Sequence, residues 1–170
     1  MNTFTRISLF LLTAAAILSC SRKKNSFVNR NYHAITSEYN TLYNGGLAFE
    51  QGREEINQNY ADNYWDILPV ERLALDENIV LPDSIRNQNF GIAEEKAVKA
   101  IQKHSMQIGG KERNPQIDEA YLLLGKSRYF DQRFVPALDA FNYILYRYPA
   151  SDNITHARIW REKTNIRLGN

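Results

Sequence analysis

Residues 114–149, NPQIDEAYLLLGKSRYFDQRFVPALDAFNYILYRYP, constrain the fold more tightly than any other part of the chain. Their apolar positions recur at three- and four-residue steps and predict two helices, over 116–130 and 135–147. Gly125 and Ala137 carry little or no side chain, so the two helices approach closely, while Tyr121, Leu124 and Phe141 fill the space on either side. Pro136 stands near the start of the second helix, where its missing N–H costs nothing, and Pro149 follows its end. Both prolines punctuate helices without interrupting them.

These residues resemble a tetratricopeptide unit, a helix-turn-helix repeat of about 34 residues. With Asp118 as first position, the large fourth residue is Tyr121 and the Leu-Gly pair at the seventh and eighth is Leu124-Gly125. The small twentieth is Ala137, the aromatic twenty-fourth is Phe141, and Pro149 closes the unit. Two positions depart: Arg128 stands where an aromatic is usual, with Tyr129 beside it, and Ile144 replaces a small residue. The resemblance implies an all-α fold, a short solenoid of helical hairpins over 30–170, with 118–151 the best-matched repeat and 152–170 an incomplete one. It also implies a groove lined by Glu119, Leu122, Lys126, Tyr129 and Phe130. There Lys126 would pair with an acidic side chain or carboxylate, and Tyr129 would offer a flat apolar contact with a polar tip.

The first nineteen residues are expected to be a signal peptide. Arg6 supplies a positive start, Ile7 to Leu18 is uncharged, and Ala16-Ile17-Leu18-Ser19-Cys20 ends the run with a small residue before a cysteine. At ~1.5 Å per residue the apolar run spans about 18 Å, short of the ~30 Å hydrocarbon core. The pattern resembles a bacterial lipoprotein signal, which implies cleavage before Cys20 and acylation of that residue. Cys20 is also the only cysteine, so no disulfide forms within the chain. Residues 20–29 then make a lipidated tether in which Arg22, Lys23 and Lys24 either meet anionic headgroups or remain solvated.

From Arg30 the pattern is helical. Tyr32, Ile35, Tyr39, Leu42, Tyr43, Gly46, Leu47 and Phe49 form an aromatic-rich stripe facing a partner, and Gly45-Gly46 marks a close helix crossing. A second, shorter helix is expected over 52–59, completing a degenerate first repeat. Residues 59–69 read as a loop pinned by its aromatics, with Tyr64 and Trp65 as a possible contact loop. A short helix over 70–77 and a loop over 78–89 follow. The spacing predicts a helix over 90–108 ended by Gly109-Gly110, and another amphipathic helix marked by Ile154, Ala157, Trp160, Thr164 and Leu168.

No catalytic, metal or cofactor constellation emerges. Gly109-Gly110-Lys111-Glu112 lacks the spacing and hydroxyl of a phosphate loop. His33, His104 and His156 have no ligand-spaced companion and read as helix-face residues. Adjacent acids such as Glu94-Glu95 are common on solvated helix faces. A net charge of +2 without a clustered basic face argues against nucleic acid. The reading is therefore non-enzymatic, without a cofactor.

Longer words carry a narrower resemblance. Asn29-Arg30-Asn31-Tyr32-His33, Tyr43-Asn44-Gly45, Asp62-Asn63-Tyr64-Trp65, Leu68-Pro69-Val70-Glu71-Arg72, AEEKAVKAIQKHSM over 93–106 and the run 111–125 resemble the amino-terminal part of PorW/SprE-type lipoproteins of Bacteroidetes. That family implies an outer-membrane lipoprotein facing the periplasm. It further implies protein partners in the type IX secretion machinery and, in gliding species, a role in motility. Family members are much longer, so the chain resembles a truncated amino-terminal piece. The alternative from another class is a carbohydrate-binding outer-membrane lipoprotein that presents tryptophan and tyrosine to sugars.

Overall fold

The computed structural model describes residues 21–73 and 87–169. The expected signal peptide, Cys20, residues 74–77 of the expected 70–77 helix, and residues 78–86 of the expected loop lie outside these residues. Within them the fold is all-α and built as a helical repeat. A continuous helical rod covers 27–59 as α1 (Phe27–Ile35), a π-helical segment (Thr36–Leu42) and α2 (Tyr43–Asn59). Then come α3 (Gln88–His104), the two-residue strands β1 (Gln107–Ile108) and β2 (Lys111–Glu112), α4 (Ile117–Phe130), α5 (Phe134–Arg147) and α6 (Ile154–Leu168). The rod packs on α3, α3 on α4, α4 on α5 and α5 on α6.

One device builds both hairpins: a glycine on the first helix receives a phenylalanine ring from the second. A Cβ added to Gly125 would stand 2.4 Å from the Phe141 ring, and one added to Gly52 would stand 2.8 Å from the Phe90 ring. Phe90 and Phe141 are fully buried. Gly125 and Phe141 lie sixteen residues apart, Gly52 and Phe90 thirty-eight, so the first repeat carries an insertion between its helices. This corrects the expected first repeat. Helix 27–59 does not divide at Gly52, because that glycine admits a ring and makes no turn; α3 is the rod's partner.

The ring contacts continue through the stack. Phe49, Phe90 and Phe130 meet at 5.5 to 5.9 Å between centroids. Phe130 then meets Trp160 at 5.7 Å, and Trp160 stacks on Phe141 at 6.3 Å. One aromatic column thus passes from the rod to α6, and edge-to-face or offset pairs of this kind add about 0.5–1.5 kcal/mol each beyond their buried area.

The departures from the repeat pattern have local causes. Arg128 takes the place of an aromatic because its guanidinium reaches Glu94 on α3 at 2.8 Å and donates to the Pro136 carbonyl. Glu94 also binds Arg133, which pairs in turn with Asp131. Burial opposes ionisation of Glu94, but the hydrogen bonds from Arg133 and Arg128 outweigh it and hold its pKa below the ordinary value. Ile144 is fully buried, whereas Ala93, which stands at the same distance after Phe90 in the first repeat, is small.

Three further expectations are corrected. Helix α3 ends at His104, and Gly109 and Gly110, both with positive φ, turn a small antiparallel hairpin in which Gln107 faces Glu112. The hairpin forms because Glu112 gathers the backbone N–H groups of Met106, Arg113 and Asn114 with the Ser105 hydroxyl. Residues 21–26 are not a free tether: the Asn29 amide donates to the carbonyls of Ser21 and Lys24, and Ser26 caps α1 three residues before the expected start. Residues 70–73 are not helical.

The close approaches predict an ordering of glycine variants. Gly125→Ala and Gly52→Ala should each destabilise by about 1–3 kcal/mol through overpacking against a buried ring. Gly46→Ala meets nothing within 4 Å and should be neutral or stabilising by about 0.5–1 kcal/mol. Chemical unfolding of the three variants measures the ordering.

Candidate protein-binding furrow

The rod buries an unusual face. Asn29, His33, Ser37 and Thr41, spaced four apart, point inward, whereas Tyr32, Ile35, Tyr39, Tyr43 and Leu47 are exposed. The stripe expected to pack on a partner helix therefore splits: Leu42 and Phe49 enter the core and the others face outward. Steps of four overshoot a 3.6-residue turn by about 40° each, and the wider π turns take up that drift, so the polar residues stay on one face. The Ser37 hydroxyl donates to the carbonyls of His33 and Ala34, and the Asn114 amide donates to His104 O at 3.0 Å, Ser37 Oγ at 3.2 Å and His33 O at 3.4 Å. Capture of these carbonyls by side chains accompanies the loosened helix.

His33 and His104, expected to be independent, meet in this seam with their Nδ1 atoms 3.1 Å apart. One nitrogen donates and the other accepts, so doubly protonated rings cannot keep the contact. Burial lowers the pKa of both; Arg22 adds to the shift of His33, and His33, Arg22 and Lys99 to that of His104. No group of three or more metal-ligating side chains occurs among the described residues.

With the polar face inward, the aromatic face lines a furrow of about 450 Å³ between the rod and α4. Tyr39, Tyr43 and Leu47 form one wall, with Tyr39 62% and Tyr43 61% exposed. Leu42, Phe49, Leu122 and Leu123 also line it, and no α3 side chain does. Of the groove residues expected from the repeat, Glu119, Leu122 and Lys126 line this furrow. Tyr129 and Phe130 do not, and their placement in the groove is corrected. Tyr129 is 0% exposed, its ring against Phe130, Phe134 and Trp160; Phe130 belongs to the aromatic column. The cause is α6, whose Trp160 covers both rings.

Lys126 lies over the Phe49 ring at 4.9 Å and the Trp160 ring at 5.8 Å. Burial lowers its pKa, with Glu50 and Glu119 acting against and Arg53 with that shift. The opposite end of the furrow is acidic. Burial, Asp118 and Glu38, in that order, raise the pKa of Glu119.

The contact loop also differs from expectation. Its aromatics do not pin it: Trp65 is 98% exposed, and Tyr64, Ile67 and Val70 are exposed beside it. Polar bonds hold its base instead. Arg72 pairs with Asp62 at 2.6 Å, and Glu71 receives Tyr129 Oη and Lys163 Nζ, each at 2.6 Å, and Arg167 at 3.3 Å. Burial opposes ionisation of Glu71, yet the bonds from Lys163 and Tyr129 hold its pKa below the ordinary value; burial and Glu71 push Tyr129 up to about 12. No sequence signal marks Glu71, because its partners lie on α4 and α6, up to 96 residues away.

No family model matches the chain, and no curated protein is significantly similar to it.

The histidine pair sets a pH dependence. A histidine whose folded pKa lies below its unfolded value of about 6.5 stabilises the fold above that pH, and the contribution is lost as pH falls through the folded value. The melting temperature should therefore fall between pH 7 and about 5, where ordinary carboxylates are still ionised. His104→Gln, which gains no proton, should flatten that segment of the profile. In NMR titration both imidazoles should protonate below 6.5.

Proposed function

We propose that this chain is a non-enzymatic scaffold of the type IX secretion and gliding machinery, anchored through Cys20 in the outer membrane, facing the periplasm and holding protein partners in the furrow. The observation that carries the binding part is the wall of Tyr39, Tyr43 and Leu47. Large apolar groups spaced four apart stand exposed there across from Leu122 and Lys126, where a second helix can lay its apolar face. The membership of that machinery rests on the residue words of the PorW/SprE resemblance. Among the described residues no helix is long and apolar enough to cross a membrane, and attachment through Cys20 requires none.

A carbohydrate-binding reading draws support from one observation, the almost fully exposed Trp65 beside Tyr64. Binding to a glycan array that disappears in Trp65→Ala would favour it over the scaffold.

In cells, a photo-crosslinker at Tyr43 should capture secretion-machinery proteins, and one at exposed Glu95 on α3 should not. Cys20→Ala should yield an unprocessed or soluble product on fractionation. A processed, firmly membrane-bound Cys20→Ala chain would exclude the anchor, and equal capture from both crosslinking positions would exclude the furrow.

A further inference from the structure

We propose that the furrow takes a cationic amphipathic helix from its protein partner, with the partner's basic side chains lying at the Glu38 and Glu119 end. The proposal rests on the scaffold reading for its occupant being a protein segment; its chemistry comes from the furrow.

Shape and charge converge on this occupant. Rod residues from Glu38 to Glu50 and α4 residues from Glu119 to Lys126 line the two sides, and each set recurs at three- and four-residue steps. The sides run the same way, since Gly45 stands against Leu123 and, further along both helices, Phe49 meets Lys126. A trough between parallel helical walls, about 18 Å long on the rod side, matches some three turns of a third helix. Tyrosine and leucine along it supply apolar contact for an i, i+3, i+4 stripe.

The charges are unevenly distributed. At one end Glu50 is paired with Arg53 at 2.9 Å, and the Lys126 ammonium lies over aromatic rings. At the other, the carboxylates of Glu38 and Glu119 have no ion pair or hydrogen bond among the described residues, and Asp118, itself bonded to Ser151 and Asn153, adds a negative charge beside Glu119. Burial, then the charges of Asp118 and Glu38, oppose ionisation of Glu119. A lysine or arginine on a docked helix removes that repulsion, whereas an acidic segment increases it. Lys126, expected from sequence to capture a carboxylate, is engaged with the Phe49 and Trp160 rings.

The test uses the membrane-extracted full chain and three synthetic peptides of about 14 residues: a Leu/Lys amphipathic helix, the same pattern with Glu for Lys, and a scrambled Leu/Lys sequence without an apolar face. The Leu/Lys helix should bind saturably, and the other two about tenfold or more weaker. Glu38→Gln with Glu119→Gln should weaken it about tenfold; Glu95→Gln with Glu162→Gln, which removes the same charge from exposed sites, should leave affinity unchanged. A photoreactive leucine in the peptide should label Tyr39, Tyr43 or Leu47 of the unmutated chain, which keeps the test independent of any folding defect.

Equal affinity for the Leu/Glu helix, equal weakening by both double variants, or labelling away from the furrow overturns the proposal. Its failure is distinguishable from that of the scaffold reading. Cellular crosslinks from Tyr43 to an acidic partner segment would keep the scaffold and reject the charge preference. Expected peptide binding without cellular protein capture would keep the furrow chemistry and reject the scaffold.

Discussion

A phenylalanine ring lying on a bare glycine backbone is the contact on which the stack depends. At Gly125 and at Gly52 the ring occupies the volume where any other residue would place its Cβ, so the hairpin helices approach at backbone distance. That approach lets Phe130 reach Phe49 and Phe90 on one side and Trp160 on the other. Hydrophobic burial supplies the magnitude, and the glycine contacts supply the spacing that makes a continuous column of rings possible. Charge crosses the same joints at the margins, where Glu94 binds two arginines across the boundary between the first and second repeats.

The rod reverses the usual assignment of polar and apolar faces, and the furrow exists because of that reversal. Asn29, Ser37 and Thr41 tolerate burial because carbonyls and the Asn114 amide satisfy them, while His33 is bonded through Nδ1 to one imidazole and its Nε2 has no partner among the described residues. A buried polar seam without such partners would cost several kcal/mol. With the polar seam inside, the tyrosines are left outside, available to another molecule. The π segment is the geometric means: without it, residues four apart would wander around the helix and the two faces would mix.

How much was legible in the sequence follows from the range of each interaction. The repeat over 118–151 was readable because its signals are local: helical periodicity, small residues at a crossing, prolines at the ends. The same glycine and phenylalanine in the first repeat do not read as a pair, because an insertion separates Gly52 from Phe90 and Gly52 alone resembles a break. Gly109-Gly110 reads as a helix stop, since a hairpin organised by Glu112 leaves little hydrophobic alternation in two-residue strands. Of the groove, Glu119, Leu122 and Lys126 were found by counting along one repeat, but the opposite wall comes from residues some 80 positions earlier. Tyr129 and Phe130 were misplaced for a related reason, because α6 covers positions that the repeat pattern leaves open. The histidine contact, 71 residues apart, left no trace in spacing.

The loop that carries Trp65 leaves and rejoins the fold at almost one place. Asp62 and Arg72 close its mouth, and Glu71 rivets that mouth to α4 and α6. Chain between two fixed, adjacent points can change length at small entropic cost, about 0.6 kcal/mol per doubling. The segment 63–70 is therefore an exchangeable cassette. New recognition sequences can be grafted there, by evolution or by design, without retuning the aromatic column beneath.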